Sequence, residues 1–305
     1  MYLINSFTRI TDVALSTGEM AGILQRVAEL IRICKHMDNN KIGYDDFIAD
    51  SVFTKADTNQ CMIYDIHNIS YSLPNHYPTQ KLLNDFSFTI NRDARIWIIG
   101  ASGSGKTSLI RVLSQLWQYE TGYIRFGIKR GQILRLSHTP YFPCGHLSLF
   151  QQISFPATGI SESLKKIDND YASITIILKE LKLDWLIERC EGLFNPVEFE
   201  WQDTLTRSEQ QRLAFARVLY QQPQFVILDE SSSSIDLEIE EHIYQLLISN
   251  NIGFISIGHH PSFTKFHDTI LHLDGCGNYT IRSLKSFSPT STIDAINSND
   301  LSDFT

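Results

Sequence analysis

The 305-residue sequence contains no run of about 18 consecutive apolar residues, the length that a helix needs to cross a bilayer. Its N-terminus also lacks a basic segment followed by an apolar core, which is the pattern of a secretory signal. The sequence therefore predicts neither a membrane-spanning helix nor a signal peptide within this chain.

Cysteine and basic residues are also in short supply. The five cysteines are scattered without Cys-x-x-Cys spacing, which disfavours a disulfide framework or a zinc site and predicts reduced thiols. Lys and Arg number 26 against 34 Asp and Glu, so the formal net charge is −8 and nucleic acid is not expected as the main partner. A hydrophobic fraction of 43% with 20% charged residues is typical of a globular protein.

The N-terminal part of the chain shows the period of an amphipathic helix. Apolar residues recur at three- and four-residue steps, as at Ile23, Val27 and Leu30, and predict a helix within residues 1–36. Residues 37–60 are polar and acidic without a regular period, as expected of an exposed linker.

Residues 61–283 alternate short apolar strands with helices and are mostly helical at about 143–217. This pattern predicts an α/β domain with a mixed sheet and an inserted α-helical subdomain. Residues 284–305 are rich in Ser, Thr, Asn and Asp and are predicted to be a disordered tail. The predicted strands are 63–72, 86–90, 95–99, 123–126, 133–136, 225–228, 254–257 and 269–273, and the first helix of the domain is predicted at 106–117.

The sharpest motif is a glycine-rich stretch that follows an apolar strand and opens a helix, as a P-loop does. Glycines let backbone N–H groups point inward, and the helix N-terminus adds the positive end of its dipole, so the loop can cradle phosphates. Lys106 is expected to neutralise phosphate charge, and Thr107 to offer its hydroxyl to Mg²⁺. The predicted nucleotide-binding residues of this loop are Gly100, Ser102, Gly103, Ser104, Gly105, Lys106, Thr107 and Ser108.

A second motif is the apolar strand at 225–228, which ends in Asp229 and Glu230. Ligands gather at the carboxyl ends of parallel strands, so we expect this pair to face the phosphates. Asp229 suits Mg²⁺ coordination through water, and Glu230 suits polarisation of an attacking water. A strand that ends in two carboxylates is common, so this signal depends on the P-loop upstream.

Between these motifs, Thr206 and Glu209 have the spacing of a capping box that starts a helix. The N-terminus of such a helix could hold an anion, although most capping boxes only cap a helix.

The order of the motifs resembles the ATP-binding cassette (ABC) family: P-loop, helical insert, signature segment, Asp-Glu strand, a Ser-Ser-Ile-Asp236 loop and His259. The resemblance runs from about residue 63 to residue 284. It implies a P-loop NTPase fold in which a head-to-tail pair of cassettes encloses ATP and Mg²⁺. Each ATP would be held by one P-loop and by Thr206 and Ser208 of the other cassette's signature.

The same resemblance implies roles for three further residues. Asp236 would lie in the loop that crosses the dimer seam. His259 would contact the γ-phosphate and hold the attacking water, while Glu230 polarises it. Outside the family context, a lone histidine after a strand is more often structural.

Several segments narrow the resemblance to the D subfamily of ABC half-transporters, and the opening residues resemble its lysosomal, cobalamin-transporting branch. These segments are Met1–Thr8, Gly18–Gly22, Leu109–Trp117, Pro140–Pro143 and Ile257–His259. In that subfamily, the segment similar to 1–10 ends the last membrane helix. The resemblance thus implies the C-terminal half of a half-transporter, with the transmembrane helices outside this chain.

The subfamily also implies a location, a cargo and a partner. The cassette would face the cytosol at a lysosomal or peroxisomal membrane, and a chain complete in itself would be cytosolic and soluble. The cargo would be cobalamin or fatty acyl-CoA. The partner would be a second cassette, in a homodimer or with a related half-transporter.

Three positions affect the expected activity. Ser208 stands where the family signature has glycine, and its Cβ hinders close backbone approach to phosphate. His138 stands where the family has a glutamine that senses Mg²⁺ and the water. Tyr71 is the candidate for stacking on adenine, with a core strand tyrosine as the alternative. Two functions stay open: a slow ATPase that drives solute transport, and an ATP-dependent dimerisation or docking module with little or no turnover.

Replacing His138 with glutamine is expected to raise the turnover of Mg²⁺-ATP. A histidine gains positive charge at mildly acidic pH and would then repel Mg²⁺, whereas glutamine stays neutral. ATPase assays of the wild type and the variant across a pH series should show the largest ratio at mildly acidic pH. Equal rates at every pH would exclude this role of His138.

Overall fold

The computed structural model describes residues 17–32 apart from residue 19, 61–73, 81–128, 132–156, 167–258 and 261–284. It divides the chain into two compact units, Met1–Thr58 and Asn59–Thr305. In the first unit, residues 20–32 form helix α1, as the apolar period predicts. The predicted linker at 37–60 and the tail from 285 onward lie outside the described residues. Among the described helices, none combines the length and hydropathy that a bilayer crossing requires.

The second unit contains two sheets. Its strands are β1 (Met62–Ser72), β2 (Lys81–Asn91), β3 (Arg95–Ile99), β4 (Thr121–Phe126), β5 (Ile133–Ser137), β6 (Phe225–Asp229), β7 (Gly253–Ile257), β8 (Thr269–Leu273) and β9 (Tyr279–Ser283). The larger sheet has the order β5-β6-β7-β3-β8-β9, in which only β9 runs antiparallel to its neighbour. The smaller, antiparallel sheet has the order β2-β1-β4. The predicted mixed sheet is thereby confirmed.

The helices of this unit connect the strands and form the insert. They are α2 (Lys106–Leu113), α3 (Leu149–Ser154), α4 (Ile167–Glu180), α5 (Trp185–Arg189), α6 (Trp201–Thr204), α7 (Arg207–Gln221) and α8 (Leu237–Ser249), with a short 3-10 helix at Pro261–Phe266. In the described residues between β5 and β6, helices α3 to α7 follow one another without an intervening strand, as expected of an inserted helical subdomain.

Two predicted elements have bounds that differ from the prediction, and two further elements were missed. Helix α2 ends at Leu113 instead of residue 117, because the N–H groups of both Leu116 and Trp117 turn back to the Arg111 carbonyl. Strand β2 begins at Lys81, earlier than predicted, because it stays paired with β1 up to Ser72. Helix α8 and strand β9 were not predicted, although Ile239, Ile243 and Leu247 recur at helical steps in α8 and are buried.

The larger sheet separates two hydrophobic cores, and β6 shows how. All five of its residues are buried, which is typical of a parallel strand covered on both faces. Val226 and Leu228 belong to a helix-side core shared with helices α3 to α8. Phe225 and Ile227 belong to a sheet-side core shared with α2 and the smaller sheet. Alternate residues of one strand thus hold both layers to the sheet.

A buried polar network lies within the helix-side core. The Ser256 hydroxyl, on β7, is 2.6 Å from His267 Nε2, and His267 Nδ1 is 2.7 Å from the Phe263 carbonyl oxygen. Because a carbonyl only accepts, His267 carries its proton on Nδ1 and accepts the Ser256 hydroxyl at Nε2. Burial lowers the pKa of His267 to about 4.

The network continues to a half-buried carboxyl group on α8. Tyr244 hydrogen-bonds to Ser256 and Ser232, and Ser232 also hydrogen-bonds to Glu240. Burial raises the pKa of Glu240 to about 7, and the charge of Glu241 adds to this effect. The network therefore joins the loop after β6 to β7 and holds both a neutral histidine and a carboxyl that retains its proton near neutrality.

The two groups oppose each other in the pH dependence of stability. Between pH 6.5 and about 4, His267 binds a proton in the unfolded chain but stays neutral in the folded chain. The contribution of His267 to the free energy of unfolding therefore falls as pH falls. Between pH 4.5 and about 7, Glu240 keeps its proton in the folded chain and loses it in the unfolded chain. The contribution of Glu240 to the free energy of unfolding therefore falls as pH rises.

Single substitutions are expected to separate the two effects when the melting temperature is measured across this pH range. Relative to the wild type, Glu240→Gln should make the melting temperature rise more steeply with pH, and His267→Gln should make it rise less steeply. The exposed Glu198→Gln is the matched control and should keep the wild-type slope. Parallel curves for the wild type, Glu240→Gln and His267→Gln would contradict this assignment.

Candidate active site

The glycine-rich loop lies between β3 and α2, where the direction of the chain reverses. Gly100, Gly103 and Gly105 all adopt positive φ angles, of 149°, 82° and 97°, which side chains other than glycine rarely tolerate. Gly105 is the N-cap of α2 and has no side chain that could cap the helix. The first N–H groups of α2 can therefore donate hydrogen bonds to an anion.

Lys106 folds back against this loop. Its Nζ donates hydrogen bonds to the carbonyl oxygens of Gly100 at 2.7 Å and Ala101 at 2.9 Å. Burial lowers the pKa of Lys106, and the Glu230 carboxylate opposes this shift. Lys106 and Glu230 therefore lie within electrostatic reach of each other, as predicted for two sides of one phosphate site.

Thr107 and Asp229 lie in direct contact although 122 positions separate them in the chain. The Thr107 hydroxyl donates to Asp229 Oδ1 at 3.2 Å, and Arg135 on β5 donates to Oδ2 at 3.1 Å. Asp229 is buried and ends β6, whose parallel register pairs it with Ser137 and Ile257. The carboxyl ends of β5, β6 and β7 thus meet at one edge of the sheet.

The donor set at this edge fits Mg²⁺. A carboxylate and a hydroxyl are the hard oxygen ligands that Mg²⁺ prefers, and it usually takes one or two carboxylates with waters and substrate phosphates. Within the described part of the chain, no group of three or more His, Cys, Asp and Glu could hold a metal by themselves. Thr107 and Asp229 would therefore share the ion with a nucleotide.

Glu230, the residue after Asp229, has a strained backbone conformation. Its φ angle is 52°, in the left-handed region, and its carbonyl accepts a hydrogen bond from the Ser233 N–H. A non-glycine residue in this region costs free energy and persists only where the surrounding structure over-determines it. The turn redirects the chain immediately after the buried strand and leaves Glu230 half-buried beside Lys106.

Two contributors to this region escaped the sequence predictions, Arg135 and Gln211. Arg135 neutralises Asp229, and its signal is a charged residue inside an apolar strand. Gln211, on α7, is fully buried. Its Nε2 donates to the His138 carbonyl at 3.0 Å, and its Oε1 accepts the Ser234 N–H at 2.9 Å. Gln211 thereby ties the loop that carries His138 to the loop after Glu230.

The protein-family model for the ABC transporter matches residues 83–233, which include the glycine-rich loop, the helical insert and the Asp229-Glu230 pair. The lysosomal cobalamin transporter ABCD4 of Homo sapiens is 30% identical over 297 residues, which cover 93% of this chain and 47% of that protein. The ATP-binding cassette sub-family D member 3 of Rattus norvegicus is 30% identical over 277 residues, with coverages of 87% and 40%. Residues 83–233 of this chain therefore form an ABC transporter domain.

A solved structure agrees with this family at the level of the fold. The structure of a bacterial Atm1-family ABC exporter with ATP bound superposes with a TM-score of 0.58 at 22% sequence identity. The match covers 73% of this chain and 39% of that chain. The P-loop NTPase cassette fold expected from the order of motifs is thereby confirmed.

The remaining predicted residues of the cassette lie in three places. Ser102 is exposed at the loop tip, Ser104 is buried with no hydrogen-bond partner for its hydroxyl, and Ser108 is half-buried in the first turn of α2. Asp236 is exposed at the N-cap position of α8. His259 lies outside the described residues, so its role stays a prediction.

The signature segment forms the predicted capping box at the start of α7. Glu209 Oε2 accepts the Thr206 N–H at 2.8 Å, and the Thr206 hydroxyl accepts the Glu209 N–H at 3.4 Å. The Thr206 hydroxyl also lies 2.8 Å from Glu209 Oε2. Ser208 is half-buried one residue before Glu209. The box is confirmed, whereas nucleotide binding by Thr206 and Ser208 stays a prediction.

The prediction that Tyr71 stacks on adenine is wrong, and the core alternative is right. Tyr71 is 1% exposed and belongs to the sheet-side core, where β1 pairs it with Leu83 on β2. Burial raises the pKa of its hydroxyl. The side chain is buried in a core that the smaller sheet shares with α2, and the local sequence could not indicate this packing.

Gly100→Ala is expected to destabilise the cassette more than Gly103→Ala does. Both positions have positive φ, but a Cβ at residue 100 would collide with the Leu273 carbonyl and lie 2.6 Å from Ser104 Oγ, whereas a Cβ at residue 103 meets no atom within 4 Å. We expect the Gly100→Ala melting temperature to lie on the order of 5 °C below that of Gly103→Ala. Equal melting temperatures would show that the loop yields to the added methyl group.

Proposed function

We propose that this chain is the nucleotide-binding part of a D-subfamily ABC half-transporter, which binds Mg²⁺-ATP and hydrolyses it to drive solute transport. The contact between Thr107 and Asp229 is the observation that carries the proposal. It joins the start of the phosphate-loop helix to the strand that presents Glu230, so a nucleotide held by the loop would meet both a metal ligand and a base.

The residues of this chain divide the chemistry between them. Lys106 would exchange the carbonyls of Gly100 and Ala101 for phosphate oxygens, because an ammonium group gains more from an anion than from neutral acceptors. Thr107 and Asp229 would hold Mg²⁺, which when bound neutralises charge on the β- and γ-phosphates.

Glu230 would act as the general base. As the water oxygen bonds to the γ-phosphorus and the bond to the ADP oxygen breaks, Glu230 accepts the proton from the water. ADP leaves with the electron pair of the broken bond. His259 would hold the attacking water, and the half-buried His138 would face the Mg²⁺ and modulate the rate.

The chain spans about half the length of the curated relatives it matches, so transport itself belongs to the proposal. The similarity to a lysosomal cobalamin transporter supports cobalamin as the solute, with fatty acyl-CoA as the alternative. We propose a second cassette as partner, in a homodimer or with a related half-transporter, whose signature would complete each ATP site. The proposed location is the cytosolic side of a lysosomal or peroxisomal membrane.

One observation favours a second function, ATP-dependent dimerisation with little turnover. The Thr206 hydroxyl is already engaged with Glu209 in the capping box, and Ser208 adds a side chain beside it. A signature segment engaged in this way would close slowly over the partner's nucleotide, so turnover would be low.

Glu230→Gln is the decisive substitution, because it removes the base and keeps the shape of the side chain. We expect the steady-state ATPase rate of the purified chain to fall about a hundredfold or more while ATP binding persists. Glu188→Gln, an exposed carboxylate on α5, is the matched control and should keep the wild-type rate.

Measuring dimerisation by light scattering with and without ATP separates the two functions. Hydrolysis by the wild type that Glu230→Gln abolishes supports the ATPase. ATP-dependent dimers without hydrolysis in the wild type support the second function. Unchanged hydrolysis in Glu230→Gln would show that another group is the base, and absence of ATP binding would refute both functions.

A further inference from the structure

Arg135 is a charged residue on the largely apolar strand β5, and it contacts the carboxylate at the end of β6. Its side chain is 25% exposed, and its guanidinium donates a hydrogen bond to Asp229 Oδ2 at 3.1 Å. In the parallel register, Arg135 pairs with Ile227, two residues before Asp229. Because alternate residues of a strand share one face, Arg135 and Asp229 lie on the same face of the sheet.

The two oxygens of the Asp229 carboxylate have different partners. Oδ2 accepts from Arg135, whereas Oδ1 accepts from the Thr107 hydroxyl at 3.2 Å. Thr107 belongs to the first turn of α2, immediately after the phosphate loop. The residue proposed to share a metal ion with Asp229 thus lies at one oxygen, and the guanidinium lies at the other. The ion pair can therefore persist when Thr107 exchanges its partner.

The guanidinium adds a permanent positive charge to this edge of the sheet. An arginine stays protonated at every pH at which a protein is folded. Its Nε is buried and has no hydrogen-bond partner among the described residues, so Asp229 does not satisfy all of its donors. Lys106 is the other cation near the carboxylates, and it would move to the phosphates. Arg135, in contrast, is bound directly to a proposed metal ligand.

We propose that Arg135 determines how strongly ATP binding to this cassette depends on Mg²⁺. The inference rests on the proposed function, because it requires that the site binds ATP. A positive charge beside Asp229 attracts the phosphates of ATP and repels Mg²⁺. The guanidinium thereby supplies part of the charge that the metal would otherwise supply, so the metal adds less to the affinity for ATP.

Both effects change one measurable ratio in the same direction. This ratio is the dissociation constant for the nucleotide without Mg²⁺ divided by the dissociation constant with Mg²⁺. Removing the charge weakens metal-free binding and strengthens the hold on the metal, so the ratio rises. At a partly buried site, water and salt screen a full charge much less than they do at the surface.

The test compares the wild type with Arg135→Gln. Equilibrium binding of β,γ-imido-ATP, which is not hydrolysed, is measured in EDTA and in excess Mg²⁺. We expect the ratio to rise on the order of tenfold or more in Arg135→Gln. Arg135→Lys keeps the charge and should keep a ratio near the wild-type value. The readout is affinity, so it does not depend on catalytic turnover.

Arg135→Met is a second neutral variant. Removing the guanidinium leaves the buried Asp229 with fewer partners, which is expected to destabilise the fold. Methionine is unbranched and adaptable, so it keeps much of the packing of the arginine stem. Melting temperatures show which variants are folded, and both neutral variants should show the raised ratio.

Arg95→Gln is the matched control. Arg95 is 31% exposed and forms a comparable ion pair with Asp268, in which Nε lies 2.9 Å from Oδ2 and a second nitrogen 3.0 Å from Oδ1. It is the first residue of β3, at the end of the strand opposite the phosphate loop. Arg95→Gln removes the same charge and an equivalent ion pair, so it should lower the melting temperature and leave the ratio unchanged.

Three results would overturn the inference while leaving the proposed function intact. The first is a wild-type ratio in both neutral variants of Arg135. The second is an equal rise of the ratio in Arg95→Gln, which would show a general effect of net charge or of stability. The third is an equal rise in Arg135→Lys, which would assign the effect to the shape of the guanidinium. If the wild type bound no nucleotide in either buffer, the proposed function would be refuted, and the inference with it.

Discussion

The candidate site depends on the parallel register of β3, β6 and β7. Asp229 pairs with Ile257, and Ile257 pairs with Ile98, so these strands end at one edge of the sheet. The loops that leave this edge begin with the phosphate loop, with Glu230 and with Gly258. Because a parallel strand is buried on both faces, the register is anchored by two cores at once and cannot slip without moving side chains between them.

Charge at this edge is balanced within the chain itself. Asp229 receives the Arg135 guanidinium and the Thr107 hydroxyl, while Lys106 donates to loop carbonyls and feels the Glu230 carboxylate. A buried carboxylate without such partners would be costly. The groups that would bind a metal-nucleotide complex are therefore already paired, and binding exchanges partners instead of exposing bare charges.

Polar side chains buried between the helices and the sheet connect the loops of this edge. Gln211 bonds to the backbone of His138 and Ser234. Further along, Tyr244 and Ser256 carry hydrogen bonds from the loop after β6 to β7. In a low-dielectric interior such bonds are directional and their loss is costly, so they constrain loops that lie beyond the regular ladder. The relative placement of the loops thus depends on the helix-side core.

Local sequence determined the elements whose signal is contiguous. The phosphate loop, the strand ending at Asp229, the capping box of Thr206 and most strands follow from glycine positions, apolar runs and spacing. Helix α8, with its clear apolar steps, could have been predicted on the same grounds. The family assignment also follows from sequence, because it depends on the order of the motifs.

Tertiary structure alone decided which of these residues meet and which are covered. The contact of Thr107 with Asp229, the fully buried Gln211, the covered ring of Tyr71 and the bond from Trp97 to Gly258 all join residues far apart in the chain. Each depends on strand pairing or core packing between distant segments, and a residue's neighbours in sequence carry no record of that pairing. The sequence by itself therefore determined the chemistry available to this cassette, and the fold decided its geometry.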